Sequence, residues 1–594
     1  MTSAVAGNAI HDQIIQEVFI DPIRTVIVVD DEYPTLDSLT AKEVGEKECW
    51  NGEPENVQRV RELLGFARSK VRPWLVDVHD GKKVTSKSEQ GIAPHLDHSD
   101  LLVLDYHLDG IEGKGDAAID ILRKLAQNDH FNLVIVHTKG YEGDLDQVVR
   151  EIALGLTFYD PELCLTEPEM ISIKEALAQW EEHDDGITSK LEGEISEDTY
   201  LKVRNINCNG LLSLEEGHRL LEFCKAVKTT IKIDPKALAK WLVMTKQAQL
   251  KKQFSTENLG HIQVGRTAET NWIRTDKLFV TVLSKGCSPA QFETKLVNAI
   301  KSSSPSPHRL LLTKMRSEID QHGLTAEAMI LGNRNIQAEW LNDFLKPDSI
   351  DPRGVINNTI NRHWEALGDQ LRFSLSNFAK QLYHFYSPLG TDKVMAECGL
   401  NKSDVGTAKT LKYFNCFTST KPIDRSHLTT GHVFRKEADV AGGEPEFWIC
   451  LSPACDMVPG QNNYPGLSDS VPFVAVFLHK VAENCALSQA TKNVFLFLDI
   501  DGEIETFSIH KDGNVTANLN WVQVFARNQG YFHEENKLTL STIVEKDREL
   551  TANWFDAVVV AQLRSEYALN LLQRVGALLS RPGLGMNFKG RTQQ

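Results

Sequence analysis

The segment LLVLDYHLDGIEGKGDAAIDILRKL (residues 101–125) decides the fold of the N-terminal part of the chain. It begins with the run LLVL, which is apolar at every position and therefore predicts a strand buried on both faces. The acid Asp105 ends this run, and GDAAIDILRKL (residues 115–125) then has the apolar spacing of an amphipathic helix. A buried strand that leads into a helix is typical of a parallel α/β sheet.

The same pattern occurs on both sides of this segment. TVIVVDDE (residues 25–32) is a β-branched run that ends in acids, and NLVIVHTKG (residues 132–140) is a further apolar run. A helical pattern, GDLDQVVREIAL (residues 143–154), follows the second of these runs. The alternation predicts a flavodoxin-like α/β domain over residues 25–160, preceded by an N-terminal extension over residues 1–24.

The rest of the chain has two further patterns. Residues 161–417 are mostly helical, with a small β element near residues 261–285. Residues 418–594 contain closely spaced apolar runs such as VPFVAVFLHKV (residues 471–481), which predict a β-rich, barrel-like domain. A closing helix is expected over residues 552–579. The predicted fold class is therefore multidomain: α/β, then α, then β.

Composition narrows the functional classes. The chain has 594 residues, 41% of them hydrophobic, and a formal net charge of -17, so it is not built to coat nucleic acid or an anionic membrane. It contains no apolar run near the ~20 residues that a membrane span requires. Its ten cysteines form no CxxC pair, and its first residues lack the pattern of a signal peptide. We expect a cytoplasmic protein with reduced thiols.

Acidic side chains stand at the ends of two predicted strands. Asp30 and Asp31 end the first strand and Asp105 ends the third, and these strands are neighbours in a flavodoxin-like sheet. Three carboxylates in one place repel one another, and a hard cation such as Mg²⁺ relieves that repulsion. One acid can then attack a phosphoryl group, while the hydroxyl of Thr138 at the end of the fourth strand can bind a phosphoryl oxygen.

Three motifs in this order resemble the receiver domains of response regulators. They are VIVVDDE (residues 26–32), the segment of residues 101–125, and LVIVHT (residues 133–138). The resemblance covers about a quarter of the chain. It implies a receiver fold and a role in phosphorelay signalling of the two-component type.

The resemblance also implies a role for individual residues. Asp105 corresponds to the phosphoacceptor, and Thr138 corresponds to the switch hydroxyl. Asp30, Asp31 and Asp105 correspond to ligands of Mg²⁺, with the backbone carbonyl of His107 as a further ligand.

One departure from the family concerns a lysine. Receivers usually carry a lysine after the fifth strand, but the stretch ALGLTFYDPELC (residues 153–164), where we expect it, contains none. Lys139 follows Thr138 directly, but nothing in the sequence shows that it takes the place of the missing lysine. We therefore expect weak or partner-dependent phosphorylation, and a pseudo-receiver that is never phosphorylated stays an alternative.

Several functions remain open at this stage. The first is a signalling protein, not itself an enzyme, in which phosphorylated Asp105 controls a C-terminal output region. The second is a scaffold subunit that uses the receiver only for docking. The third is an effector enzyme with Cys455 as a nucleophile and a histidine such as His432, His479 or His510 as its base. A DNA-binding regulator ranks last, because no helix-turn-helix or basic recognition helix is evident.

Partners follow from the same resemblance. The combination of a receiver-like start and a long C-terminal region is similar to large receiver-containing proteins of bacterial defence operons. This implies an antiviral role and a partner ATPase of the histidine-kinase-like or heat-shock-90-like type. Nucleic acid and membrane are not expected as partners, and the C-terminal region is a candidate oligomer surface. The segment NWIRTDKLFVTVLSKG (residues 271–286) has Arg274, Lys277 and Lys285 near aromatic residues, and it is either a phosphate- or nucleotide-binding element or a solvated sheet face.

Overall fold

The structure is a computed structural model of the full chain. It describes residues 2–43, 52–81, 96, 99–108, 115–159, 165–182, 186–193, 195–206, 235–345, 353–424, 427–438, 443–460, 466–514 and 519–579. These residues form two compact units. The first unit comprises Met1–Ser317 and Asn377–Leu389, and the second comprises Glu318–Ser376 and Gly390–Gln594.

The first unit is built on one sheet. Within the described ranges the sheet has seven strands: β1 (Thr25–Val29), β2 (Leu75–His79), β3 (Leu101–Leu104), β4 (Asn132–Thr138), β5 (Gln263–Arg266), β6 (Asn271–Arg274) and β7 (Leu278–Ser284). Their order is β2-β1-β3-β4-β7-β6-β5. The first five strands in this order are parallel, whereas β6 and β5 are antiparallel additions at one edge. Counting β7 as the fifth parallel strand gives the flavodoxin-like order 2-1-3-4-5.

The helices up to residue 331 precede, connect and follow these strands, and the last of them continues past Ser317 into the residue range of the second unit. They are α1 (Thr2–Ile15), which continues as a π-helix (Gln16–Ile20), α2 (Leu36–Glu43), α3 (Pro54–Ser69), α4 (Asp116–Gln127), α5 (Leu145–Leu156), α6 (Glu167–Glu181), α7 (Ile187–Gly193), α8 (Glu197–Ile206), α9 (Pro235–Leu250), a 3-10 turn (Lys251–Gln253), α10 (Pro289–Ser302) and α11 (Pro307–Leu331). Asp144 caps α5, since its carboxylate accepts hydrogen bonds from the first-turn amides of Asp146 and Gln147. Ser288 and Gln291 form a capping box at α10.

Successive strand residues point to opposite faces of the sheet and build two apolar cores. On one face Val29, Leu104, Val136 and Val282 pack with α4–α9. On the other face Val28, Val103, Ile135 and Phe279 pack with α1, α3 and α10. Because both faces are covered, the central strands are apolar without alternation, as the run LLVL predicted.

The sheet crosses the predicted domain boundary at residue 160. Residues 158–254 form an insertion that leaves after α5 and returns before β5, and α6–α9 belong to it. Its two ends meet, because the Ser255 amide donates a 2.8 Å hydrogen bond to the Thr157 carbonyl. The Arg123 side chain holds both ends through the carbonyls of Gly155 (2.8 Å) and Gln253 (3.1 Å). A closed base of this kind lets the chain add a helical segment without disturbing the sheet. The small β element expected near residues 261–285 is therefore part of this sheet.

The second unit contains an antiparallel barrel. Its described strands are β8 (Thr420–Lys421), β9 (His432–Lys436), β10 (Glu446–Cys450), β11 (Val471–Lys480), β12 (Phe495–Ile500), β13 (Glu503–Ser508), β14 (Trp521–Ala526), β15 (Lys537–Lys546) and β16 (Glu549–Leu563). Among these described strands, six form a closed barrel in the order β10-β9-β16-β15-β14-β11. The barrel is closed because β11 also pairs with β10. The barrel-like C-terminal domain is thus confirmed.

The remaining helices are α12 (Arg334–Phe344), α13 (Arg353–Tyr386), α14 (Thr391–Glu397), α15 (Ala408–Ser419), α16 (Glu483–Ser488) and α17 (Ser565–Leu579), with 3-10 turns at Ser387–Leu389, Lys402–Asp404, Ala454–Met457, Ala490–Lys492, Lys511–Gly513, Asn528–Gly530 and Glu534–Asn536. The closing helix exists but begins at Ser565, not at residue 552. Residues 549–563 form β16 instead, because the β-branched run in AVVVAQL favours a strand and pairs with β15 and β9. Among the described helices, none is long and apolar enough to cross a membrane.

Candidate functional site

Three acids meet at the carboxyl edge of the parallel sheet. Asp30 follows β1 and Asp105 follows β3, and the two strands pair directly. The Asp105 amide donates a 2.8 Å hydrogen bond to the Val29 carbonyl, which fixes the two strand ends side by side. One carboxylate oxygen from each of Asp30, Asp31 and Asp105 lies within 4.8 Å of the others. The convergence expected from the sequence is present.

A lysine lies among these acids. Lys285 follows β7, and its ammonium nitrogen is 2.7 Å from Asp105 Oδ2 and 3.0 Å from Asp30 Oδ2. A third acid, Glu32, lies 3.4 Å from the same nitrogen. The Lys285 side chain is 6% exposed, so it is held inside the site. Burial alone would lower the pKa of Lys285, but the charges of Asp105 and Asp30 outweigh it and raise the pKa, so the ammonium stays charged.

The expectation that no lysine follows the fifth strand is therefore wrong. The fifth parallel strand is β7, and the insertion of residues 158–254 separates it from β4 in the sequence. A signal was available: LFVTVLS (residues 278–284) is a β-branched run that ends in a cation, just as the runs before Asp30 and Asp105 end in acids. Taken as an isolated element, the segment of residues 271–286 does not show that its last strand lies beside β4.

Burial and mutual repulsion oppose the charges of the acids. Burial, followed by the charge of Asp105, raises the pKa of Asp30 to about 7, although Lys285 acts in the opposite direction. The same two causes raise the pKa of Asp31. Burial also acts to raise the pKa of Glu32, but the hydrogen bond from Lys139 and the charge of Lys285 outweigh it and lower that pKa.

The donor set fits a hard divalent cation. Among the described residues of the site, four carboxyl groups (Asp30, Asp31, Glu32 and Asp105) face two ammonium groups (Lys139 and Lys285), so the formal charge is -2 when all four carboxyl groups are ionised. Crowded carboxylate oxygens are suited to Mg²⁺, which prefers oxygen ligands. When bound, Mg²⁺ would offset the negative charge that a phosphoryl group brings into the site.

The two remaining predicted residues occupy the same edge. Thr138 ends β4 and is fully buried, and its hydroxyl accepts a 3.2 Å hydrogen bond from the Gly140 amide. His107 is also buried, and its amide donates a 3.4 Å hydrogen bond to Asp105 Oδ1. The structure thus brings all five predicted residues to one edge, while the His107 carbonyl as a metal ligand stays a prediction.

Next to the acids lies a cluster that the sequence did not predict. Tyr106, the residue after Asp105, donates a 2.5 Å hydrogen bond from its phenol to Glu151 Oε2 on α5. Tyr141 donates a 2.8 Å hydrogen bond to the same oxygen, and Gln147 donates to the other one. Burial and Glu151 raise the pKa of Tyr106, so its phenol stays protonated. The cluster connects the strand end that carries Asp105 to α5.

The surroundings of Cys455 do not favour a nucleophilic thiolate. Its thiol is exposed and donates a hydrogen bond to the Asp456 carboxylate at 3.3 Å. That hydrogen bond raises the pKa of Cys455, whereas a nucleophilic cysteine needs a lowered one. His432 is buried, and its Nδ1 accepts a hydrogen bond from the Thr429 amide. The effector-enzyme alternative gains no support at this cysteine.

Comparison with known proteins agrees with this architecture. Residues 22–176 match the family model of the response receiver domain. Neither the search of curated proteins nor the search of solved structures found a match to the chain. The matched region contains β1–β4 and the three acids, while β7 with Lys285 lies outside it. The N-terminal region of this chain is a response receiver domain.

Proposed function

We propose that the protein is a response-regulator-like signalling protein with Asp105 as its phosphoacceptor. One observation carries the proposal: the Asp105 carboxylate stands at the end of a fully buried strand, 2.7 Å from the buried ammonium of Lys285. A rigid strand end fixes the position of the nucleophile, and a misplacement of about 1 Å can lower the rate on the order of 100-fold. The neighbouring acids supply ligands for the cation that this chemistry requires.

The proposed reaction transfers a phosphoryl group from a donor to Asp105. A carboxylate oxygen of Asp105 forms a bond to phosphorus, and the bond between phosphorus and the leaving atom of the donor breaks. The electron pair of that bond leaves with the donor, and the product is an acyl phosphate on Asp105. Lys285 stays protonated throughout and neutralises charge beside the acceptor oxygen.

The other residues have positioning roles in this proposal. Asp30, Asp31, Asp105 and the His107 carbonyl would hold Mg²⁺. The Thr138 hydroxyl leaves the Gly140 amide and donates to a phosphoryl oxygen, which draws the β4–α5 loop towards the site. A phosphoryl group adds about -1.5 to -2 charges, enough to bias an element with two arrangements.

The proposal extends to partners and place. A receiver requires a phosphodonor, and we take the donor to be a partner ATPase of the histidine-kinase-like or heat-shock-90-like type, acting in the cytoplasm. The C-terminal region would be the output region that phosphorylation of Asp105 controls, and antiviral defence is one process in which it would act. These extensions rest on the receiver domain and on the resemblance of the whole chain.

The test is the intact mass of the full chain after incubation with a small acyl phosphate and Mg²⁺. Wild type should gain the mass of one phosphoryl group, and Asp105→Asn should not, because the amide is not a nucleophile of comparable strength. Asp116→Asn serves as the matched control, since Asp116 lies on the first turn of α4 and should be dispensable. If wild type and Asp105→Asn behave alike, with the small donor and with candidate kinases, the receiver is a docking scaffold.

A further inference from the structure

Two lysines occupy equivalent positions on neighbouring strands. In the register of β4 and β7, the last residues of the two strands, Thr138 and Ser284, pair with each other. Lys139 and Lys285 are therefore the first residues after each strand. The Lys285 amide donates a 2.8 Å hydrogen bond to the Thr138 carbonyl and continues this register. Both lysines therefore leave the sheet at the edge where the acids converge.

The two lysines differ in burial and in their partners. Lys285 is 6% exposed and contacts Asp30 and Asp105. Lys139 is 49% exposed and lies 2.8 Å from Glu32 Oε1. Glu32 joins them, because its second oxygen faces Lys285 at 3.4 Å. The ammonium group of Lys285 thus lies inside the site, and that of Lys139 lies on its solvent side.

The ion pair between Lys139 and Glu32 is weak. Glu32 is 37% exposed, and an ion pair between side chains this exposed contributes little to stability. An ammonium group has three donors and rotates freely, so it can leave one carboxylate for an anion of higher charge. A phosphoryl group carries up to two charges and three acceptor oxygens.

With Mg²⁺ bound, the formal charges of the site balance, so an incoming phosphoryl group brings up to two negative charges in excess. Lys285 is already paired with Asp30, Asp105 and Glu32, and Thr138 contributes an uncharged hydroxyl. A cation on the solvent side is therefore needed where the donor enters. Lys139 has the charge, the exposure and the strand position for this role.

We propose that Lys139 is a phosphoryl-binding residue that moves from Glu32 to the phosphoryl group of the donor and so sets the preference of the site for anionic donors. This inference rests on the proposed function of Asp105. Glu32 holds Lys139 at the mouth of the site when no phosphoryl group is bound. Removal of the Lys139 charge weakens donor binding, and removal of the Glu32 charge strengthens it.

The experiment measures phosphorylation of the full chain at increasing concentrations of a small acyl phosphate, with Mg²⁺ present. For Lys139→Met we expect the half-saturating concentration to rise about tenfold, the loss of one charge-assisted hydrogen bond, with the maximal rate within about twofold of wild type. Lys139→Arg should stay near wild type, and Glu32→Gln should lower the half-saturating concentration. The same order should appear when beryllofluoride, a phosphoryl mimic, is titrated and the melting temperature is followed.

Lys277→Met is the matched control. Lys277 is 42% exposed and ion-paired with Asp129, but it precedes β7 and lies at the opposite edge of the sheet. It should leave both titrations unchanged. A half-saturating concentration that is unchanged in Lys139→Met, with or without a lower melting temperature, overturns the inference while the proposed function stands. A wild type that neither takes up phosphoryl groups nor responds to beryllofluoride overturns both.

Discussion

Asp30 is a buried carboxyl group whose surroundings oppose its charge. It is 3% exposed, and its pKa is raised to about 7 by burial and by Asp105, against the pull of Lys285. Between pH 4 and pH 7 the folded protein therefore binds more protons at this residue than the unfolded chain does. The stabilising effect of the proton is complete below the unfolded pKa and is lost as pH rises through the folded pKa.

We predict that Asp30 contributes a loss of stability to the metal-free protein as pH rises from about 4 to about 7. The contribution of Asp30 should be at most about 4 kcal/mol, the linkage equivalent of its raised pKa. Asp30→Asn should remove this part of the slope, because the amide does not titrate. Urea unfolding of both proteins over this pH range, with a chelator present, measures the difference.

Two comparisons complete the test at Asp30. Asp129→Asn, which removes a fully exposed acid, should keep the wild-type slope. Millimolar Mg²⁺ should flatten the wild-type slope, because metal binding requires ionised carboxylates and stabilises the folded state. Parallel pH profiles for wild type and Asp30→Asn would show that the Asp30 pKa is close to that of the unfolded chain. An equal response of both proteins to Mg²⁺ would remove Asp30 from the metal site.

At the scale of elements, Glu151 couples β3 to α5. Two phenols share one of its oxygens, and the ring of Tyr106 fills the space over Gly115, where a Cβ would lie 2.1 Å from it. Gly115 also has a φ of 66°, in the region that favours glycine. Tyr106 therefore contacts both the start of α4, through Gly115, and α5, through Glu151.

We predict that Tyr106→Phe destabilises the folded protein by about 1–3 kcal/mol, because a buried hydrogen bond to a carboxylate is lost while the ring stays in place. Tyr141→Phe should cost less, about 1 kcal/mol, since this side chain is only half-buried. The double variant should be non-additive, because both phenols bind the same oxygen. Chemical denaturation of the four proteins gives the cycle, and additive losses would disprove the shared contact.

At the scale of the whole molecule, the fifth parallel strand, β7, is far from its neighbour β4 in the sequence: β4 ends at Thr138 and β7 begins at Leu278. β4 is buried along its whole length and pairs with β7 through seven residue pairs, from Asn132 with Leu278 to Thr138 with Ser284. A chain that ends at residue 160 would lack β7 and Lys285. It would expose an apolar strand edge to solvent, which favours aggregation.

We predict that residues 1–160 aggregate or stay unfolded, whereas residues 1–389, which contain the whole first unit, fold. The longer fragment should also be stabilised by Mg²⁺, since it contains Lys285 and all the acids. Size-exclusion chromatography and thermal melting followed by circular dichroism compare the two. A monomeric, cooperatively melting fragment of residues 1–160 would show that β7 is dispensable.

The sequence by itself determined the local elements and the acids of the site. Apolar runs that end in Asp30 and Asp105 predicted buried strands with carboxylates at one edge, because side-chain periodicity and strand ends are local properties. The order of α/β, helical and barrel parts followed from the same patterns. The closing helix was placed too early, since residues 549–563 are apolar enough to read as either element until β15 and β9 pair with them.

Only the tertiary structure decided which strand stands beside β4 and which lysine enters the site. The insertion of residues 158–254 hides the relation between Thr138 and Lys285 in the sequence, although the two strand ends are adjacent in space. The hydrogen bonds of Tyr106 and Tyr141 to Glu151 likewise join three separate segments of the chain: the loop after β3, the loop after β4, and α5. Periodicity identifies a strand, but the choice of its neighbour depends on backbone hydrogen bonds and core contacts between segments far apart in the chain.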